Sequence, residues 1–538
     1  MEGSQSRDKR TAENTEAWIL GSGTASLATA LYLIKHHKVQ PPRIHVLDKH
    51  ESVEQGSHYK GNASEGYDQF AGCLPVPGGV HMKELLAMIP STKSEGRSIL
   101  DEIQKAEADR LSAKEVNRTS FLVQKNGVME HIPIDSLNLS FKNRISLLRF
   151  LLRREKSLAK SQIQDLFSNS FFESAFWAVW SAQFGFQPWH SAAEFRRAVC
   201  QYLPEIHGLR ILDCLDITGY YQFEFLYRPI YSFLKSCGVD FRFRTEVKNI
   251  EVAQNSNQRT ITGLDLIQDQ LGLHTSLGKN DIVLVNLGST ISGSTIGTND
   301  TPPTWHSITA DDMLDQNWSA WLDLGNKNRD FGSPYNFCTR QSESILESFT
   351  ITTEDVKFFD KLKEISRCTS EAGAFIFLKD SRWRMSLCIP SQPVFTEQPR
   401  NIRVLWGLAH LPECKGNYVD KPMLWCSGTD IMAELLNHLG LNHQEPMQRT
   451  ITIPRAMPRM SAILLTRALN DRPQVIPQAF ANVGLVGQFV EIPRRTCVDI
   501  SYSIRAAKMA VSGLMGSPTF IEPSTSMVSA VWKIMLGK

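Results

Sequence analysis

The chain has 538 residues, 42% of them hydrophobic and 21% charged, and 58 Lys and Arg against 56 Asp and Glu leave a formal net charge of +2. This balance excludes a protein that holds nucleic acid through a strongly basic face. The ordinary content of Gly and Pro, spread along the chain, excludes extended disorder. At about 150 residues per domain, the length predicts three or four structural units, with a core large enough to need neither disulfides nor a structural metal.

Ten cysteines are scattered along the chain, and none forms a Cys-x-x-Cys pair. Such spacing indicates neither a zinc ribbon nor a thioredoxin-type site, so we predict no metal and interpret the cysteines as reduced thiols. The polar first 16 residues predict no secretory signal, and no uninterrupted apolar run of about 18 residues predicts a membrane span. We therefore expect a multi-domain enzyme of the cytoplasm.

The first predicted elements form a strand–helix–strand unit. An apolar strand over 17–20 leads into Gly21 and Gly23, and a helix with apolar residues at helical spacing covers 27–36. A second strand follows over 43–47. This order is typical of the βαβ unit that opens a nucleotide-binding domain.

Four residues of this unit are candidates for holding a dinucleotide. Gly21 permits the tight turn, Gly23 permits close approach of the backbone to a pyrophosphate, and the small Ser26 stands where a third glycine is usual. Asp48 ends the second strand, where a carboxylate can bind a ribose hydroxyl. The alternative is a plain tight turn with no ligand.

Further along, residues 92–130 are polar and mixed, and we interpret them as helix and irregular connection. A helical pattern covers about 141–200, and a region of mixed elements covers about 300–466. The clearest strand patterns lie at 240–244, 249–252, 260–267, 282–287, 374–378, 383–389 and 402–406.

The last predicted unit is a strand over 483–486, followed by Gly487 and Gln488 and then a helix over 500–514. A short strand, a glycine and a final helix commonly close flavin domains by covering the flavin and its phosphates. The opening strand–helix–strand unit alone does not separate FAD from NAD, and this closing unit favours FAD; the alternative for the closing unit is an unremarkable strand–turn–helix.

The chain resembles the oleate hydratases, also called myosin-cross-reactive antigens, over about 18–511. The segments that carry the likeness include the turn from Gly21 with Asp48, Trp189-His190-Ser191, Asp471-Arg472-Pro473 and, most specifically, Gly484-Leu485-Val486-Gly487-Gln488-Phe489-Val490-Glu491. The resemblance implies FAD, a homodimer, and addition of water to a cis double bond of an unsaturated fatty acid. Cofactor contacts are then expected from Gly21, Gly23, Ser26, Asp48, Gly56, Ser57, Gly288, Gly487 and Gln488.

With this resemblance, the predicted fold is α/β: a discontinuous Rossmann-like FAD-binding domain, a mixed α+β substrate domain and a helical region. Our predicted boundaries are FAD-binding segments at 14–92, 232–299 and 468–516, a largely helical region with part of the substrate site at 93–231, a substrate domain at 300–467 and a tail at 517–538.

The catalytic positions depart from the family's pattern. The family's general acid/base is a Glu in an Arg-Gly-Gly-Arg-Glu-Met run, and this chain has Leu74 at the Glu position and Cys73 at the Arg position before it. A tyrosine that donates a proton to the double bond is retained as Tyr220. Leucine has no proton to exchange, so the acid–base set must differ.

The family's carboxylate anchor, Thr-x-Asn-x-x-x-His, is replaced as well. The matching residues here are Cys388, Pro390 and Val394. A buried carboxylate without partners costs several kcal/mol, so we predict a hydrophobic alkene, such as a terpenoid or polyketide-derived compound, instead of a free fatty acid.

The candidates for the replaced chemistry are few. Tyr220 is the first candidate for the acid, although a buried tyrosine satisfied by backbone would look the same. Asp68 stands close enough in sequence to take over from the missing carboxylate. Cys73 and Cys388 are candidate thiol catalysts, although a small buried hydrophobe is the commoner role of a cysteine.

We predict a redox-neutral flavoprotein that does acid–base chemistry at a C=C bond: hydration, isomerisation or cyclisation. Three alternatives stay open: a flavin oxidoreductase, an authentic fatty-acid hydratase with an altered site, and a ligand-binding protein without catalysis. Peripheral membrane contact stays open too, because basic residues from Arg144 to Lys156 flank an apolar helical stripe. A solvated face over a core stripe has the same pattern.

Overall fold

The computed structural model describes residues 10–52, 61–68, 79–91, 94–112, 118–125, 128–132, 139–203, 226–254, 258–304, 314–367, 374–442 and 444–518. Among the predicted site residues, four lie outside these ranges: Gly56, Ser57, Cys73 and Tyr220.

The strands of the described ranges are, in chain order, β1 (Ala17–Leu20), β2 (Ile44–Leu47), β3 (Gly61–Asn62), β4 (Gly66–Tyr67), β5 (Arg118–Lys125), β6 (Val128–Ile132), β7 (Asp240–Arg242), β8 (Thr245–Gln254), β9 (Arg259–Gln268), β10 (Leu271–Ser276), β11 (Ile282–Asn286), β12 (Thr295–Ile296), β13 (Leu346–Thr353), β14 (Ala374–Leu378), β15 (Met385–Ile389), β16 (Arg403–Ala409), β17 (Thr450–Met457) and β18 (Val483–Val486).

The helices are α1 (Thr24–His37), α2 (Gly79–Ala87), α3 (Ile99–Ser112), α4 (Phe141–Leu152), α5 (Asn169–Phe172), α6 (Ala175–Phe184), α7 (Ala192–Tyr202), α8 (Arg228–Cys237), α9 (Gln316–Lys327), α10 (Tyr335–Cys338), α11 (Gln341–Ser344), α12 (Val356–Ser366), α13 (Gly428–Leu439), α14 (Gln444–Gln448) and α15 (Ile500–Leu514). Among these helices, none is both long enough and apolar enough to cross a bilayer.

A parallel sheet of five strands, in the order β18-β11-β1-β2-β7, organises one half of the described structure. Strands β1, β2, β11 and β18 are buried along their whole length, and apart from His45 in β2 and Asn286 at the end of β11 they contain only apolar residues and glycine. The chain leaves β1 to β2 on one side, and β11 lies on the other side. Such a reversal of strand order opens a crevice at the carboxyl edge of an α/β sheet, where ligands bind.

An eight-stranded, mostly antiparallel sheet, in the order β12-β17-β13-β16-β15-β14-β5-β6, forms the second half. Strands β5 and β6 correct our interpretation of 92–130 as helix and irregular connection. Only β6 is an edge strand, and an edge strand keeps polar side chains in solvent, which weakens the apolar alternation that predicts a strand. β5 lies between β14 and β6, and its apolar run, Phe121-Leu122-Val123, is only three residues long between polar residues.

The two faces of the eight-stranded sheet have different neighbours. One face packs Phe349, Ile351 and Leu405 into an apolar cluster with residues of α12 and α13. On the other face, which we call the inner face, Cys388 and Trp406 belong to the same core cluster as the parallel sheet. Two cross-strand rows of the inner face can be read from the register: Arg455, Ser348, Leu408, Ser386, Phe377 and Phe121, and beside it Ile453, Thr350, Trp406, Cys388, Phe375 and Thr119.

The predicted helical stretch of 141–200 contains α4 to α7, arranged around Phe195. Six aromatic rings pack against this side chain with centroid distances of 5.3 to 6.4 Å, from Phe150, Phe167, Phe171, Trp177, Trp180 and Phe186. Serine side chains cap the first turns of α4, α6 and α7, which explains where these helices begin.

A buried charge network joins this helical region to the C-terminal segment. Glu194 on α7 is fully buried, and its Oε1 lies 2.7 Å from Arg467 Nη2 and 3.4 Å from both Arg197 Nη1 and Arg472 Nη1. Glu491 binds two of the same arginines, with Oε1 2.5 Å from Arg197 and Oε2 2.7 Å from Arg467. Burial works to raise the pKa of Glu194, but the three guanidinium groups outweigh it and lower the pKa to about 2.

His190, in one of the segments that resemble the family, has a structural position. Its Nδ1 accepts a hydrogen bond from the N–H of Gln187 at 3.0 Å, and Nε2 lies 3.2 Å from the carbonyl oxygen of Glu343. The ring is therefore held as the neutral tautomer with its proton on Nε2. Burial lowers the pKa of His190 to about 4.

This tautomer predicts a specific loss of stability in acid. As the pH falls below about 6.5, the unfolded chain takes up a proton at this histidine, whereas the folded chain does so only near pH 4. The stabilisation is thus complete above pH 6.5 and is lost towards pH 4, by about 3 kcal/mol. Urea unfolding at pH 7 and at pH 5 gives the free energy of unfolding of wild type and of His190→Asn. The difference between the two proteins should be smaller at pH 5 than at pH 7.

The same substitution at His274 is the control. His274 is exposed, and its hydrogen bond to Asp265 raises its pKa, so the gap between wild type and His274→Asn should not narrow between pH 7 and pH 5. A gap for His190→Asn that is constant over this range would show that His190 is not held neutral in the folded chain.

Candidate functional site

The glycine turn after β1 has a backbone that only glycine fits. Gly21 has φ +94°, and its N–H donates to the carbonyl of Leu47 at 2.9 Å, which ties the end of β1 to the end of β2. A Cβ added at Gly21 would lie 2.5 Å from Oδ1 of Asn317. The turn and its close neighbour therefore exclude a side chain at this position.

Helix α1 begins directly after this turn and presents an open N-terminus. Gly23 is its N-cap, no side chain of the described residues caps it, and its first turn contains no acidic residue. The first N–H groups of a helix have no partner within the helix and carry its positive end, so they bind anions. Ser26 is fully buried in the first turn of α1, where its small side chain lets the helix pack closely.

Asp48 lies beside this turn at the end of β2. Its Oδ2 accepts hydrogen bonds from the N–H and the hydroxyl of Ser22 at 2.9 and 2.5 Å, and its Oδ1 lies 2.7 Å from Nδ1 of His50. Burial works to raise the pKa of Asp48, but the His50 and Ser22 hydrogen bonds outweigh it and keep the pKa below its usual value. The carboxylate is therefore an ionised acceptor at the rim of the turn.

The glycines after β18 and β11 reach the same edge of the sheet. Gly487 has φ +102°, and a Cβ there would lie 2.5 Å from Oδ1 of Asn286. Gly288 has φ +59°, and its Cβ would lie 2.8 Å from the ring of Phe489. Gln488, next to Gly487, is half-buried and donates to the carbonyl of Cys497 at 3.4 Å.

Two residues of this edge escaped the sequence reasoning. Asn286 ends β11 between Gly23 and Gly487, because a Cβ on Gly23 would lie 3.1 Å from its Nδ2. Tyr227, at the start of α8, donates its hydroxyl proton to the carbonyl of Ser22 at 2.6 Å and thereby holds the turn from behind. For Asn286, the sequence signal was an asparagine that ends a buried strand shortly before a glycine. The sequence around Tyr227 contains no comparable signal.

These residues fit a bound dinucleotide. The open N-terminus of α1 suits a pyrophosphate, the glycines leave space that a Cβ would fill, and Asp48 supplies an ionised carboxylate at the end of β2. All of them lie at the carboxyl edge of the parallel sheet, beside the strand-order reversal.

A second set of candidate residues lies against the inner face. Asp68 is buried and forms an ion pair with Arg455 of β17, with Nε to Oδ1 at 3.4 Å and a closer contact from Nη2 to Oδ2. The N–H of Tyr67 donates to Oγ1 of Thr352 at 2.8 Å, and its ring stacks on Phe395 at 4.4 Å. The chain segment before the Cys73 position is thus fixed on the inner face.

Cys388 also lies on the inner face, on β15. It is buried between its cross-strand neighbours Phe375 and Trp406. Both of these cross-strand neighbours are aromatic, so the thiol packs against apolar side chains within the sheet. The position is that of a packed thiol next to the candidate substrate surface.

The loop after β15 satisfies its own polar groups. Gln398 accepts the N–H of Val394 at 2.8 Å and donates to Oε1 of Gln392 at 2.8 Å. Pro390 and Val394 are buried. The positions where the resembling family keeps a carboxylate anchor therefore present apolar side chains, and the N–H of Val394 is engaged within the loop.

The model of the MCRA family matches residues 14–512. The chain belongs to the MCRA family. Among curated relatives of this MCRA protein, an oleate hydratase from Streptococcus pyogenes serotype M49 (strain NZ131) is 28% identical over 519 residues, covering 93% of this chain and 85% of the relative. A linoleate hydratase from Lactiplantibacillus plantarum is 26% identical over 552 residues, covering 94% of each.

These matches confirm the resemblance seen in the sequence and identify a divergent member, whose similar relatives are named as hydratases. Among solved structures, the crystal structure of an oxidoreductase from Methanosarcina mazei covers 93% of this chain and 100% of that one, with a TM-score of 0.47 and 11% identity.

Proposed function

We propose that this MCRA protein binds FAD and does redox-neutral acid–base chemistry at a C=C bond of a hydrophobic substrate, by hydration, isomerisation or cyclisation. The observation that carries the proposal is the cofactor cradle at the carboxyl edge of the parallel sheet, in a chain whose relatives are named as hydratases. Hydration transfers no electrons, so the proposed role of the cradle is to hold a group that shapes the site.

The geometry of the turns at the carboxyl edge of the parallel sheet supports our assignment of the residues that would hold FAD. The N–H groups after Gly23 would face the pyrophosphate, and Asp48 would bind a ribose hydroxyl. Gly288 and Gly487 would let the backbone approach the flavin half. Bound FAD would supply a flat surface and fixed electrostatics to the site.

Acid–base addition to an alkene needs one group that gives a proton and one that takes a proton. Protonation of one carbon leaves a carbocation at the other, which is then quenched by water in hydration or by loss of a neighbouring proton in isomerisation. The Asp68 carboxylate forms a buried pair with Arg455, so we assign it to proton uptake or to stabilising the cation. Tyr220 remains our proposed donor, and Cys73 and Cys388 remain alternative thiols.

The substrate end that reaches the loop after β15 is proposed to be neutral. Cys388, Pro390 and Val394 are buried, and Gln398 already engages the N–H of Val394. A carboxylate in this place would lose its hydration without gaining charged or strong donors. A neutral alkene avoids this cost, which favours it over a free fatty acid.

The test uses the full chain with FAD and a panel of oleate, linoleate, oleyl alcohol and neutral terpenes, in light and heavy water. The expected result is a product that carries one carbon-bound deuterium from the solvent, while the flavin absorbance stays unchanged. Anaerobic bleaching of the flavin band by a substrate would support the oxidoreductase alternative. Tight binding without product under all conditions would support a ligand-binding protein, and efficient turnover of oleate would overturn the neutral substrate.

Restoring the anchor side chains should restore affinity for a fatty acid. In C388T/V394H, a hydroxyl and an imidazole replace a thiol and an isopropyl group, and hydrogen bonds to a charged group contribute about 1.5–3 kcal/mol each. We expect oleate to bind at least about tenfold more tightly than to wild type in a calorimetric titration. Oleyl alcohol is the matched ligand, and its affinity should stay within about twofold; an equal gain for both ligands would contradict an anchor at this position.

A further inference from the structure

Helix α4 has two apolar stripes, and one of them is exposed. Phe141 and Leu152 are 79% and 70% exposed, and Ile145 and Leu148 are half-buried. These four residues are spaced i, i+4, i+7 and i+11, which places them in one line along the helix. We call this line the exposed stripe of α4.

The core stripe of α4 is a different one. Leu147, Phe150 and Leu151 are at most 2% exposed and belong to the main core cluster. The sequence pattern left two explanations for an apolar stripe flanked by basic residues, and a core stripe accounts for only one side of the helix. The exposed stripe is a candidate contact surface, because four apolar residues in one line leave a continuous apolar strip on the surface.

Basic side chains border the exposed stripe and continue beyond the helix. Residues 139–160 contain seven Lys and Arg and one acidic residue, Glu155, whose carboxylate binds the buried Arg197. Lys142, Arg149 and Arg153 are exposed and lie on one side of the stripe by helical spacing, and Arg144 lies on the other.

An apolar stripe with basic residues on both sides is typical of a helix that lies in the interface of a membrane. We propose that α4 and the turns after it, residues 141–160, bind the surface of an anionic lipid bilayer. The charge decides between this partner and a second copy of the chain, because two copies joined through this face would bring like charges together, whereas anionic lipid headgroups complement them.

A pocket beside α4 suggests a function for the membrane contact. A cavity of about 270 Å³ is lined by Ser140 and Asn143 at the start of α4, by Lys379, and by Phe121 of the inner face, among other residues. A bilayer bound along α4 would lie next to this pocket, where hydrophobic molecules are concentrated. The use of the pocket for substrate rests on the proposed function, whereas the membrane contact does not.

The experiment is sedimentation of the full chain, loaded with FAD, with vesicles of phosphatidylcholine alone or with phosphatidylglycerol added. We expect binding to the anionic vesicles that weakens steeply with salt, and little binding to the neutral ones. F141S/L152S should weaken binding at least about tenfold because it removes two apolar side chains from the interface, and R149E/R153E should weaken it by a similar factor because it reverses two charges.

The matched control is L271S/L273S, which removes two exposed leucines, 68% and 45% exposed, from β10. This control should bind vesicles like wild type. Failure of wild type to bind anionic vesicles, or equal binding by all variants, would overturn the proposal. If F141S/L152S instead lowered the mass of the particle in solution, the stripe would be a subunit interface and the proposal would be wrong. Vesicle binding is measured without substrate turnover. The result can therefore be interpreted even if the proposed function is wrong.

Discussion

Replacing Glu194 with glutamine is expected to lower the free energy of unfolding by about 3–5 kcal/mol, because it removes one charge from a buried and balanced network. The Oε1 atom of Glu194 faces Arg197, Arg467 and Arg472, and the second carboxylate, Glu491, reaches only two of them. The amide would leave Arg472, which is fully buried, without a carboxylate partner. Urea unfolding followed by circular dichroism measures the loss.

Glu364 offers a matched control. Its side chain is 70% exposed and pairs with Lys361 at 2.8 Å, and pairs of this kind contribute little; Glu364→Gln should change stability by no more than about 0.5 kcal/mol. Equal losses for the two variants would show that the network around Glu194 is dispensable.

The pH dependence of the Glu194 effect gives a second check. The folded chain keeps the pKa of Glu194 at about 2, and an exposed glutamate has 4.5. The stabilisation is complete above about pH 4.5 and is lost towards pH 2, because the unfolded chain binds the proton first. A protonated Glu194 resembles glutamine, so the stability gap between wild type and Glu194→Gln should narrow over this range.

The glycine turn and the carboxylate beside it were predictable from the sequence because they are close together along the chain. Gly21, Gly23 and Asp48 lie within one strand–helix–strand unit, whose connection has one preferred hand, so a pattern of 28 residues fixes where they meet. Gly487 could be placed because a final strand and helix of this kind commonly close flavin domains. The predictions for the first and last segments thus depended on residues that are close together in the sequence.

The partners of these residues could not be predicted, because they are distant in sequence. Arg455 is 387 residues from Asp68, and Tyr227 is 205 residues from Ser22. Neither pair leaves a periodic signal, since each depends on how two sheets and a helix pack after folding. The role proposed for Asp68 changes accordingly: a carboxylate bound to a guanidinium takes up a proton or stabilises a cation, and a separate group must donate the proton.

Replacing Gly21 with valine is expected to weaken FAD binding at least about 100-fold, measured by titration of flavin fluorescence. Valine at φ +94° strains the turn, and its Cβ would lie 2.5 Å from Oδ1 of Asn317, so the turn must move away from the open end of α1. Gly96→Val is the control, because Gly96 has φ +74° but no atom within 4 Å of an added Cβ. Both variants carry backbone strain, so a loss of stability alone appears in both. A selective loss of FAD affinity in Gly21→Val would place the cofactor at this turn, and equal affinities would place it elsewhere.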